Sequence, residues 1–302
     1  MNRNRSIIGM VVMLALVCSG GASEFSDEIW ASYKAGALEP TEIFRVREGV
    51  ELHYFAPANA RAPGNNVAHI YIHGGSFRGG SPRGFYRWSR YLAEHGVSAF
   101  ALKYRLLDRK KRGKPTICVE DAKSAMRWLR ANAEKLGVDP ERIAVGGNSA
   151  GGHLAAALAT LEGHNHPADD LSIKTTPNLL LLGSPALDLG GYFGKDISPV
   201  HNLNENLPNT IAIIGDSDRV IPMKTMEIFG LGVIDAGSDF EWWVFPGKGH
   251  GLTAQNKSYL TPELMHIYFS YFNFLAQNGY VDEPLPAGDE VRTLIQQRKL
   301  GE

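Results

Sequence analysis

The sequence predicts an α/β fold built on a mostly parallel sheet, and two observations lead to this class. From about residue 41 onward, strand-like and helix-like segments alternate along the chain, which is the pattern of strands joined by crossover helices. The strand candidates are nearly continuous apolar runs, as expected for a sheet whose two faces are both covered. We therefore expect an eight-stranded, mostly parallel sheet with helices on both faces.

The eight strand candidates are short segments bounded by turn residues. The first two flank Glu48–Gly49 and predict an opening hairpin. Asp139–Pro140 predicts a turn just before the fifth strand. The predicted strands are 43–47, 50–55, 67–72, 97–104, 143–145, 179–182, 210–214 and 240–245.

Apolar residues at helical spacing predict the helices between these strands. We expect one helix to end at Gly137, because its apolar face repeats at Val119, Ala122, Met126, Leu129, Ala133 and Leu136. The last long helix is expected to start with Thr261 as its cap and Pro262 in its first turn, and to end at Gly279. The other predicted helices are 82–95, 150–161, one that begins near Pro222, and a short one at 291–298.

Length and charge limit the kind of protein this is. The chain has 302 residues, of which 44% are hydrophobic, so a single domain with a large core is expected. The formal net charge is -1, whereas nucleic-acid binding needs a concentrated basic surface. The basic run 109–112 is best interpreted as a solvated loop. We expect no nucleic-acid partner.

The first residues are typical of a secretory signal peptide. Arg3 and Arg5 precede an apolar stretch at 7–17, and small residues follow at 19–23. This layout predicts cleavage after Ala22. The expected organisation is a signal peptide at 1–22 and a single domain at 23–302, located outside the cell or in the periplasm.

Cys18 gives an alternative for the amino terminus, namely a lipid anchor attached to this cysteine. Val17 is bulkier than the small residue that such processing usually requires. Lipidation at Cys18 is the only membrane attachment that the sequence suggests. With either processing, Cys118 has no second cysteine for an internal disulfide in the domain.

The strongest chemical motif is the segment 147–151, which reads Gly-Asn-Ser-Ala-Gly. It follows a strand candidate and opens a helix candidate, which is the strand–turn–helix context of a nucleophile elbow. Ser149 would project from this turn at a helix amino terminus, where negative charge is stabilised. On its own the pattern also fits a glycine-rich turn.

A second motif, His73-Gly-Gly-Ser-Phe77, directly follows the strand at 67–72. When a serine attacks a carbonyl group, the carbonyl oxygen becomes an anion that needs backbone N–H donors. Gly74 and Gly75 are predicted to supply such donors together with Ala150, the residue after the nucleophile. We interpret His73 as a structural residue rather than as the catalytic base.

A serine nucleophile needs a base and a carboxylate that orients the base, in the chain order Ser, Asp or Glu, His. Asp216 and Asp218 both follow the strand at 210–214, and His250 follows the strand at 240–245. Asp218 is the preferred acid because it lies farther beyond the strand end, whereas Asp216 is interpreted as a turn residue. The predicted catalytic triad is therefore Ser149, Asp218 and His250.

These motifs together resemble the acetyl esterase and carboxylesterase branch of the α/β-hydrolases, the hormone-sensitive-lipase-like and feruloyl-esterase-like enzymes. The resemblance covers about residues 41–278 in one colinear run, including Tyr104-Arg105, Asp121 and Gly249-His-Gly251. It implies the α/β-hydrolase fold and hydrolysis of short-chain acyl esters without a cofactor or metal. The substrate would be a small-molecule ester or an acetyl or feruloyl ester on a polysaccharide.

The chain departs from the lipase-like relatives in one respect. Only about forty residues of the mature chain precede the His73-Gly-Gly strand, so a full helical cap is not expected there. The segment 183–208 is expected to supply part of the pocket wall instead. Within it, we interpret Tyr192, Phe193 and His201 as packing residues rather than as residues that contact the substrate.

Two other functions remain open at this point. A peptidase or amidase of the same fold would use the same triad, and a hydrolase-like binding protein would keep the fold without the reaction. The presence of serine, acid, histidine and both glycines argues against the second. His164 and His166, with Asp169 and Asp170, are interpreted as a polar loop rather than a metal site.

Overall fold

The computed structural model describes residues 11–14, 38–111, 113–253 and 262–282. Within these residues, nine strands form one sheet. The strands are β1 (Val11–Leu14), β2 (Glu42–Arg47), β3 (Val50–Phe55), β4 (Asn66–Ile72), β5 (Ser98–Lys103), β6 (Val138–Asn148), β7 (Leu179–Gly183), β8 (Asn209–Gly215) and β9 (Phe240–Phe245).

The sheet is mostly parallel, with the strand order β1-β9-β8-β7-β6-β4-β5-β3-β2. Only the pairs β2–β3 and β3–β5 are antiparallel among the described strands. The eight strands β2 to β9 are the predicted eight-stranded sheet, and β2 and β3 form the predicted opening hairpin. The α/β-hydrolase fold expected from the sequence is confirmed.

The ninth strand, β1, lies within the segment predicted as a signal peptide. It pairs in parallel with β9, with Val11 opposite Glu241 and Leu14 opposite Val244. Cleavage after Ala22 would remove β1 and leave β9 at the edge of an eight-stranded sheet. Such an edge carries unpaired backbone groups.

Six helices connect the strands in the described residues. They are α1 (Tyr86–Glu94), α2 (Thr116–Ala131), α3 (Ala150–Thr160), the single turn α4 (Gly190–Phe193), α5 (Met223–Asp235) and α6 (Pro262–Gln277). Short 3-10 turns occur at Pro82–Phe85, Lys195–Ile197, Pro199–His201 and His250–Thr253.

The core forms two apolar layers, one on each face of the sheet. Helices α2, α3 and α5 pack on one face, and α1 and α6 pack on the other. Alternate residues of β4 pack into the two layers, since Ile70 and Ile72 belong to the first layer and Tyr71 belongs to the second. This explains why the strands are apolar at successive positions rather than at every second one.

Two predicted helices differ from the observed ones in their ends. The helix expected at 82–95 is a 3-10 turn, Pro82–Phe85, followed by α1. The helix expected to reach Gly137 ends at Ala131, because the Asn132 side chain donates to the carbonyl of Trp128 at 2.8 Å. Side chains of this type compete with the helical backbone for carbonyl groups.

The strand predicted at 143–145 is longer in the structure, since β6 runs from Val138 to Asn148. The Asp139–Pro140 turn lies inside this strand, where the pairing with β4 shifts register. The Asp139 carboxylate accepts the N–H of Glu141 at 2.8 Å, so the turn is a local irregularity of the strand. The predicted cap Thr261, the helix at 291–298 and Cys18 lie outside the described residues.

Helix α3, which begins next to Ser149, is held at its far end by a buried lysine. The Lys123 side chain of α2 is almost fully buried. Its ammonium group donates to the carbonyls of Leu161 and Gly163, the latter at 2.6 Å. Carbonyl groups at a helix carboxyl end otherwise lack a donor, so this contact fixes α3 relative to α2.

Candidate active site

Four loops that bear chemically reactive residues meet at the carboxyl ends of the parallel strands. They follow β4 (residues 73–77), β6 (Ser149), β8 (Asp218) and β9 (His250). These strands belong to the parallel part of the sheet. Their carboxyl ends therefore lie on the same side, where ligands bind in open α/β sheets.

Ser149 occupies a strained turn between β6 and α3. Its backbone has φ of 53°, in the left-handed region that costs a non-glycine residue about 1–3 kcal/mol. The turn is held because the Ser149 N–H donates to the carbonyl of Gly183 on β7 at 2.9 Å. The Ser149 side chain consequently projects from the end of the sheet.

The two glycines that flank Ser149 are required by close backbone contacts. A Cβ atom on Gly147 would lie 2.3 Å from the carbonyl oxygen of Gly151. A Cβ atom on Gly151 would lie 2.0 Å from the carbonyl oxygen of Ile72 on β4. No side chain fits at these distances, so the turn forms only with glycine at both positions.

His250 lies between Ser149 and Asp218. Its Nε2 atom is 3.0 Å from Ser149 Oγ, and its Nδ1 atom is 2.8 Å from Asp218 Oδ2. Because an ionised carboxylate only accepts hydrogen bonds, Nδ1 carries the proton and Nε2 is left to accept from the Ser149 hydroxyl. The three predicted triad residues therefore form one continuous hydrogen-bonded chain.

Asp218 is fixed by the backbone that follows it. Its carboxylate is fully buried, and its Oδ1 atom accepts the N–H groups of Val220 at 2.8 Å and Ile221 at 2.9 Å. Asp216 instead accepts the N–H of Gly247 at 2.7 Å and joins the loops after β8 and β9. The structure thus brings Asp218, and not Asp216, to His250.

The glycine-rich loop after β4 lies beside the serine. Gly75 has φ of 119° and leaves its own N–H without an acceptor in the described part of the chain. Ala150 is the first residue of α3, where N–H groups have no partner inside the helix. The Gly74 N–H is already used, because it donates to the side-chain oxygen of Asn148 at 2.9 Å.

Asn148 is a site residue that the sequence analysis missed. Its side chain joins the loop after β4 to the end of β6, one residue before the nucleophile. A Cβ atom on Gly74 would lie 2.7 Å from the Asn148 carbonyl oxygen, so the two loops are in close backbone contact. The signal that the sequence offered for this role is the position of Asn148 at the end of β6, the strand that pairs with β4.

His73 anchors the glycine-rich loop rather than facing the serine. Its ring stacks on Tyr104 with a centroid distance of 4.4 Å, and the Tyr104 hydroxyl donates to the His73 carbonyl at 3.0 Å. Burial lowers the pKa of His73, which favours the neutral ring. These contacts agree with the structural role assigned to His73 from the sequence.

His153, in the first turns of α3, is a second residue that the sequence analysis missed. It is fully buried, and burial lowers its pKa to about 4. Its neutral ring contacts the carbonyl of Ala186 through Nδ1 at 3.1 Å and meets Phe77 edge-on at 5.3 Å. Ala186 in turn donates its N–H to the Ser149 carbonyl at 3.1 Å. His153 therefore braces the turn that carries the serine.

The cavity at Ser149 has a volume of about 520 Å³. Small residues of the loop after β4 form much of its wall, and Phe85 is the one large apolar side chain among the described residues that line it. No residue of the segment 183–208 is among the described residues that line it, so the expected contribution of this segment to the wall is absent. Tyr192 is 87% exposed, and Phe193 packs against the core.

The described residues contain neither a metal-binding cluster nor a membrane-spanning helix. There, no group of three or more histidine, cysteine, aspartate or glutamate side chains is arranged to hold a metal ion. His164 instead contacts Asp196, and Asp169 pairs with Arg127. Among the helices of the described residues, none combines the length and apolar character needed to cross a bilayer.

Comparisons with known proteins give a consistent result. The BD-FAE family model matches residues 52–178. Esterase LipC of Mycobacterium tuberculosis is 29% identical over 215 residues, which are 60% of this chain and 52% of LipC. An acetylxylan esterase of Xylanibacter ruminicola is 24% identical over 232 residues, 68% of this chain and 43% of that protein. This chain thus spans about half the length of these curated relatives, or less.

A solved structure matches over nearly its whole length. The propionate-bound thermophilic esterase of Thermogutta terrifontis has a TM-score of 0.74 and 29% sequence identity, and the match covers 84% of this chain and 98% of that one. Its esterase name agrees with those of the sequence relatives. The paraoxon-phosphorylated structure of the same esterase is 30% identical over 96% of its length, and with the geometry at Ser149 this match shows that the chain belongs to the esterase family of the α/β-hydrolases.

Proposed function

We propose that the protein hydrolyses esters of short acyl chains through a covalent acyl-enzyme on Ser149. The observation that carries the proposal is the hydrogen-bonded chain from Ser149 Oγ through His250 to Asp218, at 3.0 and 2.8 Å. A serine hydroxyl becomes an effective nucleophile only when a base accepts its proton. The Nε2 atom of His250 is in position to do so.

The first half of the reaction forms the acyl-enzyme. Ser149 Oγ bonds to the ester carbonyl carbon while its proton passes to His250 Nε2. Asp218 stabilises the resulting imidazolium through Nδ1. The tetrahedral intermediate then collapses, the carbon–oxygen bond to the alcohol breaks, and His250 returns the proton to the leaving oxygen.

The second half repeats these steps with water in place of the serine. His250 takes a proton from the water molecule, whose oxygen bonds to the acyl carbon. Collapse of the second intermediate releases the carboxylic acid and restores the Ser149 hydroxyl. The overall reaction consumes one water per ester and needs no redox step.

The intermediate's oxyanion is stabilised by backbone N–H groups. Gly75 and Ala150 are the proposed donors, since neither N–H is used within the described chain. Gly74, predicted as a third donor, gives its N–H to Asn148. In this proposal the Gly74–Asn148 hydrogen bond sets the direction in which the next amide, Gly75, points.

The proposed acyl preference is for short chains. Phe85 is buried at the wall of the cavity that contains Ser149. The related Thermogutta esterase is described with propionate and with butyrate bound, which supports the same size class. The acetylxylan esterase similarity supports acetyl groups on carbohydrate as a natural target.

We further propose that the protein is exported and that residues 1–22 are removed. The charged start, the apolar stretch and the small residues up to Ser23 support this proposal. An exported esterase would meet ester-bearing polysaccharide directly.

The role of Ser149 is tested by replacing it with alanine. We expect Ser149→Ala to lower kcat for p-nitrophenyl acetate about a thousandfold or more, because the nucleophile is lost while binding remains. The wild-type enzyme should act faster on acetate and butyrate esters than on octanoate. Ser217→Ala is the matched control, since this exposed serine lies beside Asp218 and outside the hydrogen-bonded chain.

The alternatives give different outcomes in the same assays. A fluorophosphonate probe should label the wild-type protein at Ser149, and a protein that neither labels nor turns over any ester would be a binding protein. Faster cleavage of p-nitroanilides than of matched p-nitrophenyl esters would instead indicate an amidase. Equal esterase activity of Ser149→Ala and wild type would exclude the proposed nucleophile.

The assignment of the acid is tested by a pair of amide substitutions. Asp218→Asn should lower kcat about 10³- to 10⁴-fold, because an amide at this position favours the wrong tautomer of His250. Asp216→Asn, two residues away, keeps an oxygen for the Gly247 N–H and should retain activity within about fivefold. If steady-state kinetics show a larger loss of kcat for Asp216→Asn than for Asp218→Asn, the catalytic acid is Asp216 instead.

Asn148 is expected to act through the glycine-rich loop. Asn148→Ala leaves the Gly74 N–H without its acceptor and should lower kcat about 10- to 100-fold with little change in KM, since the oxyanion forms after substrate binding. Asn148→Asp keeps an acceptor and should recover part of the loss. Equal kcat values for the alanine variant and the wild type would show that the loop does not depend on this contact.

Export is tested by the amino-terminal residue of the protein recovered from a bacterial host. Mass spectrometry should find Ser23 at the amino terminus, because cleavage follows the small residue Ala22. Ala22→Leu should slow the processing, since leucine does not fit where a small residue is required. A lipid-modified Cys18 at the amino terminus, or a retained residue Met1 in the exported fraction, would contradict this processing.

A further inference from the structure

A second cleft adjoins the cavity at Ser149. Its volume is about 720 Å³, and His73, Gly80 and Ser81 line both spaces. The cleft extends from these residues over the antiparallel edge of the sheet, where β3 and β5 pair. One ligand can therefore span both spaces by passing over Gly80 and Ser81.

The wall of this cleft holds an oriented pair of opposite charges. Glu51 of β3 and Lys103 of β5 are direct cross-strand partners. The Lys103 ammonium group donates to Glu51 Oε1 at 3.0 Å. This hydrogen bond is the main cause that lowers the pKa of Glu51, so the carboxylate is ionised. The two side chains remain 22% and 45% exposed, which leaves both able to contact a ligand.

His53 holds the carboxylate in place from the other side. The hydroxyl of Tyr86 and His53 Nδ1 form a hydrogen bond, and His53 Nε2 lies 3.2 Å from Glu51 Oε2. Burial lowers the pKa of His53, so its ring is neutral. A neutral ring with Tyr86 as donor to Nδ1 carries its proton on Nε2 and donates it to Glu51. Glu51 is thus a fixed acceptor with two partners.

The cleft combines charged groups with apolar side chains, since Leu106 and Ile117 also line it. Besides Glu51 and Lys103 it is lined by Arg83, which is 70% exposed at its side chain. An acyl chain placed there would remove water from charged groups without giving them new hydrogen bonds, which is unfavourable. A hydroxyl group both donates and accepts hydrogen bonds, so it can donate to the carboxylate or accept from the ammonium group.

We infer that this cleft is the subsite for the alcohol part of the substrate, that this part is a polyhydroxylated ring such as a glycosyl unit, and that Glu51 and Lys103 select it. The inference rests on the proposed ester hydrolysis at Ser149, whose cavity holds the acyl group. Vicinal ring hydroxyls donate to Glu51 and accept from Lys103. Neither residue contacts the reacting atoms, so both determine specificity and not the chemical step.

The experiment compares three acetate esters with different alcohols. p-Nitrophenyl acetate reports the chemistry at Ser149, a monoacetylated methyl xyloside carries ring hydroxyls, and cyclohexyl acetate has a ring of the same size without them. The wild-type enzyme should favour the xyloside ester over cyclohexyl acetate by about tenfold or more in kcat/KM, as expected for one or two hydrogen bonds.

Glu51→Gln and Lys103→Met test the two selecting residues. Each should lower kcat/KM for the xyloside ester about tenfold, mainly through KM, and leave p-nitrophenyl acetate within about twofold. The matched control is the exposed pair Glu141 and Lys174, whose variants Glu141→Gln and Lys174→Met should change none of the three rates. Unchanged p-nitrophenyl acetate turnover also shows that a variant is folded.

The outcomes separate this inference from the proposed function. If wild type hydrolyses p-nitrophenyl acetate but does not prefer the xyloside ester to cyclohexyl acetate, the subsite is wrong and the esterase proposal stands. If the preference exists but survives both Glu51→Gln and Lys103→Met, these residues do not select the alcohol. If Ser149→Ala retains full activity on p-nitrophenyl acetate, the proposed function itself fails.

Discussion

The contact between Gly151 and the end of β4 is the constraint on which the rest of the site depends. A Cβ atom at Gly151 would lie 2.0 Å from the Ile72 carbonyl oxygen, so the first turn of α3 packs directly on the backbone of the neighbouring strand. This contact sets the position of Ala150 next to the glycine-rich loop. Ser149, with its positive φ, occupies the turn that leads from β6 into this helix. Two hydrogen bonds hold the strained serine to the end of β7 and the residues after it: the Ser149 N–H donates to the Gly183 carbonyl, and the Ser149 carbonyl accepts from the Ala186 N–H.

Buried neutral histidines hold this arrangement together. His73 stacks on Tyr104 below the glycine-rich loop, and His153 joins α3 to Ala186 and Phe77. Burial lowers the pKa of both rings, so neither introduces a positive charge beside the catalytic groups. A charged ring at either position would have to be desolvated at high cost. His250, by contrast, keeps part of its ring exposed.

The sequence predicted those features that depend on local pattern, and it did not predict those that depend on how distant segments pair. The proximity of Ser149, Asp218 and His250 could be predicted because each follows a recognisable strand, and parallel strands end on one side of the sheet. Asn148 was missed because its acceptor role requires the register between β4 and β6. The end of α2 was misplaced because Leu136 and Ala133 still pack in the core after the helix has ended. Apolar spacing records burial, whereas the helix end is determined by the hydrogen bond of Asn132.

The same reasoning explains why the cleft at Glu51 and Lys103 was invisible in the sequence. The two residues are 52 positions apart, and they meet only because β3 pairs antiparallel to β5 and places them opposite each other. Catalytic groups in this fold come from loops after parallel strands, where the backbone geometry of each turn demands particular residue types such as glycine. The residue types on the antiparallel edge are not restricted in this way, since replacing Glu51 or Lys103 disturbs no tight turn. The edge can therefore change its polar groups without altering the geometry around Ser149.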